Sequence, residues 1–129
     1  MQILQPKGWM RPKGYSNGIA AKGTMVFVSG MIGWDALGKI TSNDFVAQVR
    51  QTLLNIVAVL AEADAKPENI VRMTWYVKDK NEYIGSHEKI GEVYREVIGR
   101  HFPAMTAVQV ADLIEDQARV EIEVTAMLL

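Results

Sequence analysis

The 129-residue chain contains no cysteine, which excludes thiol chemistry, disulfides and any cysteine-based zinc site at once. Histidine is almost as scarce. His87 and His101 are the only two, too few for a histidine-rich metal site, and neither HxH nor HExxH spacing occurs. A dominant charge is missing too: Lys+Arg at 14 against Asp+Glu at 15 leave a formal net charge of -1. That balance argues against nucleic acid as a partner, because non-specific binding of that kind relies on a basic field. No apolar run approaches the ~20 residues of a membrane span. The start, Met1-Gln2-Ile3-Leu4-Gln5-Pro6-Lys7, has no apolar segment of the signal-peptide kind. The expectation from these absences is a cytoplasmic protein with no metal and no membrane partner.

What is present suits a globular core: 49% of residues are hydrophobic and 22% charged, in a length that fits one domain over residues 1–129. Pro6 to Gly23, rich in Gly, Pro and Lys, reads as loops and turns, with a short strand at Ile19-Ala20-Ala21. Met25 to Trp34 is apolar on both faces, as expected of a strand covered on both sides, and the turn Asp35-Ala36-Leu37-Gly38 closes it. Asp44 to Ala63 is the clearest helix: Val46, Val49, Leu53, Ile56, Val57 and Leu60 form one stripe, and Asn43 or Asp44 supplies the cap. After a connector at Asp64 to Asn69, Ile70 to Lys78 reads as a strand. A second helix is expected over Asn81 to Ile98, with Tyr83, His87, Ile90, Tyr94 and Val97 along one side, and with Gly99 and Pro103 as stops. Two strands, Ala104 to Ala111 and Arg119 to Leu128, finish the chain. Helical crossovers put both helices on one face of a sheet, giving an α+β fold.

Period-2 alternation then separates the two faces of that sheet. Val120, Ile122, Val124 and Ala126 oppose Glu121, Glu123, Thr125 and Met127. Val71, Met73, Trp75 and Val77 oppose Arg72, Thr74 and Tyr76. Met105, Ala107, Gln109 and Ala111 are assigned to the mixed face and Thr106, Val108 and Val110 to the apolar one. The mixed face holds Met, Ala and Tyr together with carboxylates and an arginine, which fits either a subunit interface with a polar cleft or a wet sheet face.

Several segments, in order, carry a resemblance that covers nearly the whole chain: Gly14-Tyr15-Ser16-Asn17-Gly18, Val26-Phe27-Val28-Ser29-Gly30-Met31-Ile32, Ala47 to Ile56, Tyr76-Val77-Lys78-Asp79, Phe102-Pro103-Ala104-Met105-Thr106, and Val120-Glu121-Ile122-Glu123. Together they resemble the Rid (reactive intermediate deaminase) superfamily, some members of which carry an endoribonuclease L-PSP or translation-inhibitor label. The resemblance implies a chorismate-mutase-like fold, with a mixed sheet and two helices on one face. It also implies a homotrimer with a central β-barrel and small-molecule ligands in the clefts between subunits. It decides the mixed face in favour of an interface. Deaminating members hydrolyse reactive enamines and imines to ketones and ammonia, without metal or organic cofactor. Tyr15, Ser29 and Glu121 match cleft positions. The counterpart of a cleft asparagine falls on His87 or on Gly91.

The chain departs from the family at one telling place. Met105 stands where the family has the arginine of Pro-Ala-Arg, whose bidentate guanidinium holds the substrate carboxylate. A thioether cannot do this, so deamination of 2-iminobutanoate is not carried over, and Met105 is read as an apolar cleft wall. General acid–base work on an enamine remains open to Glu121, set against the plainer reading that Glu121 pairs with Arg119, Arg72 or a backbone group. His87 reads equally as a hydrogen-bonded histidine of the second helix, and Trp34 and Trp75 as packing residues. Arg72 and Arg100 are the arginines that can approach the cleft from elsewhere. Two functions follow: hydrolysis of an enamine without a free carboxylate at the usual position, or a non-catalytic trimer that binds a small molecule for regulation. The balanced charge and the lack of a histidine pair argue against a ribonuclease.

Overall fold

In the computed structural model, which describes residues 1–129, the elements in chain order are β1 (Gln2–Leu4), β2 (Gly18–Ala20), β3 (Thr24–Met31), α1 (Phe45–Ala61), β4 (Ile70–Val77), α2 (Lys80–Gly85), α3 (His87–Val97), β5 (Ala104–Gln109) and β6 (Val120–Leu128). Four strands make the main sheet in the order β3-β6-β4-β5. The closing strand β6 is therefore interior, antiparallel to both β3 and β4, while β5 joins β4 in parallel. This is the mixed sheet of the expected α+β fold. β1 pairs with β2 in a separate small ribbon; β2 corresponds to the short strand expected at Ile19-Ala20-Ala21, shifted by one residue, whereas its partner β1 was not expected.

Both helical layers cover one face. Ile70, Met73, Trp75 and Val77 of β4 and Val120, Ile122, Val124 and Ala126 of β6 pack with Val49, Leu53, Ile56 and Leu60 of α1 and Ile90 and Tyr94 of α3 in one core. Each such fully buried large side chain contributes about 1.5–3 kcal/mol relative to exposure, so this layer dominates the fold's stability. Pairing slips between Ile70 and Arg72, which turns Ile70 into the core in place of the expected Val71.

Local chemistry explains the helix ends. Asp44, not Asn43, caps α1, its Oδ2 accepting from the Ala47 amide at 2.9 Å, and the Asp79 carboxylate does the same for α2. The single helix expected over Asn81 to Ile98 is broken at Ser86 (φ -100, ψ 9), where Ile84-Gly85-Ser86 joins two residues of poor helix propensity. His87 consequently opens α3 exposed to solvent rather than continuing an apolar stripe. No helix is long and apolar enough to cross a membrane.

Polar groups fix how α1 meets the sheet. Gln48 is fully buried, its amide donating to the carbonyls of Ser42 (2.8 Å) and Gln117 (3.0 Å) and its oxygen accepting from the Arg119 amide at 2.8 Å. It thereby ties the start of α1 to the entry of β6. Gly33 packs against the same residue, since a Cβ there would stand 3.0 Å from the Gln48 Cα. Asn55 donates to the carbonyls of Ile32 and Trp34, holding the exit of β3 against the helix. That exit forms a hairpin through Asp35–Lys39, in which the Asp35 carboxylate accepts from the Leu37 and Lys39 amides.

Candidate functional site

The helices leave the opposite face of the sheet open. The strand Met25 to Trp34, expected to be covered on both sides, has one open side within a single chain: Met25 is 53% exposed and Phe27 69%. Register arranges this face in rows across β3, β6 and β4. Phe27, Thr125 and Arg72 form the first row, and Glu123 and Thr74 the second, with Glu121 and Tyr76 in the third. The first two rows, with Ser29, line a shallow hollow of about 520 Å³.

A β-bulge shapes the β3 side of the hollow. Val28 pairs with Val124 and Met31 with Ile122, so Ser29 and Gly30 together oppose the single residue Glu123. Such an insertion bends the strand and re-aims its side chains. Glu121 uses the space this opens. Its carboxylate lies directly over the backbone of Gly30, where a Cβ would stand 2.1 Å from Oε2. Only glycine at position 30 permits this seat.

The Glu121 carboxylate forms no hydrogen bond or ion pair within the chain. Its expected partner Arg119 is turned to the helix side, bonding the Asn43 carbonyl at 2.7 Å and Glu82 at 3.2 Å. Arg72 is likewise unpaired and exposed on the open face. Glu123 is engaged: the Tyr76 hydroxyl donates to its Oε1 at 2.6 Å. That bond, followed by burial and then the nearby Glu123 and Glu121 charges, raises the Tyr76 pKa above the usual phenol value. Tyr76 thus stays a donor at neutral pH.

The sequence-predicted residues divide between two regions. Ser29 and Glu121 share the open face. Tyr15, exposed, lies at the entry of β5, because Ser16 bridges Ala104 and its amide bonds the Pro103 carbonyl at 3.0 Å. Met105 is not on the open face as expected. Its register with Met73 turns it to the helix side, half-buried against the main core. Ala107 and Gln109 follow the same face, and the Gln109 side chain accepts from the Lys80 amide of α2. Thr106 and Val108 take the other face, and all four residues from Thr106 to Gln109 are exposed. The alternation within β5 is too weak to choose a face, since both sets mix small and polar residues, and the parallel pairing with β4 decides. His87 and Gly91 also belong to the helical layer. A Cβ at Gly91 would meet only the Arg95 guanidinium, at 3.2 Å. Within one chain, then, Met105, His87 and Gly91 do not join Ser29 and Glu121.

Sequence reasoning missed Gly30 and the Tyr76–Glu123 bond. Alternation had already put Tyr76 and Glu123 on one face, but only the β4–β6 register makes them near neighbours.

Comparison with known proteins matches this chain over residues 10–128 to the family described as Endoribonuclease L-PSP. A RutC family protein of Pyrococcus horikoshii is 38% identical over 113 residues, 87% of this chain and 85% of that protein. The 2-iminobutanoate/2-iminopropanoate deaminase of Salmonella typhimurium is 35% identical over 108 residues, covering 81% and 80% respectively. Among solved structures, the Rid family protein YyfB of Yersinia pestis, a protein of unknown function, superposes with a TM-score of 0.86 at 28% identity, covering 98% of both chains.

The seat of Glu121 makes a testable demand on position 30. Gly30→Ala and Glu121→Ala should be energetically coupled by about 0.5–1 kcal/mol in urea denaturation, because the added methyl displaces a carboxylate that the second variant removes. Strictly additive effects would contradict the contact.

Proposed function

Because the chain belongs to the Endoribonuclease L-PSP family, which includes the Rid deaminases, we propose that it hydrolyses a reactive enamine or imine to a carbonyl compound and ammonia, with Glu121 as the general acid–base group. The observation that carries this reading is the unpartnered Glu121 carboxylate held over Gly30 beside Ser29. The proposed sequence begins when the Glu121 carboxyl delivers a proton to the enamine carbon, giving an iminium ion. Water then adds to the iminium carbon, forming the C–O bond, and its proton passes back to the Glu121 carboxylate. The carbinolamine collapses, the C–N bond breaks with proton transfer to nitrogen, and ammonia leaves as the carbonyl forms. The Ser29 hydroxyl is suited to hold the attacking water. No cofactor takes part.

Met105, apolar where deaminating relatives need an arginine, supports a substrate without a free carboxylate next to the reacting carbon. The open face also sets two carboxylates, Glu121 and Glu123, against the single guanidinium of Arg72. That balance favours a small molecule over a phosphate backbone. The expected assay outcome is that a cyclic or aryl-derived enamine is consumed faster than in buffer, whereas 2-iminobutanoate generated in situ decays at the buffer rate. Glu121→Gln should lose roughly 10²-fold or more of the enamine rate. Wild-type protein that accelerates no enamine would instead favour a non-catalytic small-molecule-binding role.

The site is proposed to be completed between subunits of a homotrimer, whose three sheets turn their open faces inward as a barrel. Such an assembly covers Met25 and Phe27 and brings a neighbour's helical layer and Tyr15 towards the Glu121 rim. Sedimentation equilibrium should give three times the 14.4 kDa chain mass. Phe27→Glu should shift the protein towards monomer, and a wild-type monomer would contradict the assembly.

A further inference from the structure

Resting on that reading of Glu121, we propose that Glu123 is the charge-selecting residue of the same site, its carboxylate serving as the counter-charge for the cation formed when the enamine carbon takes its proton. An enamine is neutral, whereas the iminium ion it becomes carries a full positive charge. A fixed negative group near that carbon therefore stabilises the transition state and leaves the bound substrate almost untouched.

The placement of Glu123 suits that role. It stands two residues from Glu121 on the same face of β6, roughly 7 Å along the strand at a rise of ~3.3 Å per residue. A carbon in contact with the Glu121 carboxyl is thus within its Coulombic reach. The effect acts through space, so Glu123 needs no contact with the ligand, and it strengthens wherever a neighbouring subunit excludes water. The charge is also held in position. Tyr76, paired in register with Glu121, donates its hydroxyl proton to Glu123 Oε1 at 2.6 Å. That hydroxyl feels both carboxylates: the bond to Glu123 comes first, burial next, and then the charges of Glu123 and Glu121 in raising its pKa. No cation neutralises Glu123, since the ion pairs of the chain are Arg50–Glu96, Lys78–Asp112 and Arg119–Glu82. Arg72 shares the face, but its row partner Thr125 lies beyond Glu123, so Glu123 stands between that row and the Glu121 rim. The same negative charge repels a carboxylate placed next to the reacting carbon, which disfavours α-imino acids at the rim itself.

Turnover and binding are both read on the intact protein. With a cyclic enamine as substrate, Glu123→Gln should lower kcat roughly fivefold to fiftyfold and leave KM within about twofold, because only the transition state carries the charge. The glutamine carbonyl oxygen still accepts from Tyr76, so the variant removes the charge and keeps the shape. Arg72→Gln, which removes a positive charge from the same face, should not lower kcat. Calorimetric titration needs no turnover: the 2-iminopiperidinium cation is a stable mimic of a cyclic iminium ion, and 2-piperidone is its neutral counterpart. Wild type should bind the cation more tightly than the lactam, and Glu123→Gln should weaken the cation without weakening the lactam. Wild-type kcat in Glu123→Gln, a higher KM in place of a lower kcat, no preference of wild type for the cation, or equal weakening of cation and lactam would overturn the proposal. If the cation binds through Glu123 and yet no enamine is consumed, the counter-charge stands and the catalytic reading falls. If wild type and Glu123→Gln consume the enamine at the same rate, the catalytic reading stands and the role of Glu123 falls.

Discussion

The Glu121 side chain can lie flat on β3 only because position 30 has no Cβ and because the strand bulges there. In a regular antiparallel pair each β3 residue would face one β6 residue, and a side chain at position 30 would occupy the space over the backbone that the carboxylate takes. Placing Ser29-Gly30 opposite Glu123 alone breaks that pattern. The result is an ionisable group on a rigid interior strand, fixed in direction yet free of an intrachain partner. Other features of the proposed chemistry refer back to it: the hydroxyl of Ser29 beside it and the row with Tyr76.

That seat is held from behind. The sheet is one layer thick, and its other face is closed by α1 and α3 over a core of fully buried aliphatic side chains and Trp75. Gln48 ties the start of α1 to the strand that carries Glu121, and Asn55 ties the same helix to the strand that carries Gly30. The two sides of the candidate site are thus both referenced to one helix. Rigid elements, not loops, set its geometry, which is the arrangement that preserves catalytic distances best.

Much of this was legible in the sequence. The alternation in Val120–Leu128 placed Glu121 and Glu123 on the uncovered side because its two faces differ sharply in polarity. The stripe in α1 was legible for the same reason, although Gln48 and Thr52 lie buried within it, since a polar residue satisfied by backbone groups gives no signal in a hydrophobic pattern. The face of Met105 was not legible: Met, Ala and Gln alternate with Thr and Val, and only the parallel register with β4 breaks the tie. Nor was the break at Ser86, where the apolar spacing runs on across a backbone that does not. Family resemblance supplied the fold and named Ser29 and Glu121. It could not supply the role of Gly30, which is a matter of the space above one Cα.

The relationship to proteins named imine deaminases makes hydrolysis the natural reading, and Met105, standing where the resemblance expects an arginine, makes the substrate the open variable. Direct proton delivery by Glu121 is the core of the account, and its stereochemistry exposes it. An enamine with two different substituents on its nucleophilic carbon, hydrolysed by the protein in D2O, should yield a carbonyl product deuterated on one face, read by NMR after rapid quenching. A fixed carboxyl group reaches only that face. Glu121→Gln should give the racemic label of the uncatalysed reaction. If wild-type protein accelerates hydrolysis and the label is still racemic, the proton does not come from Glu121, and the account of this site is wrong.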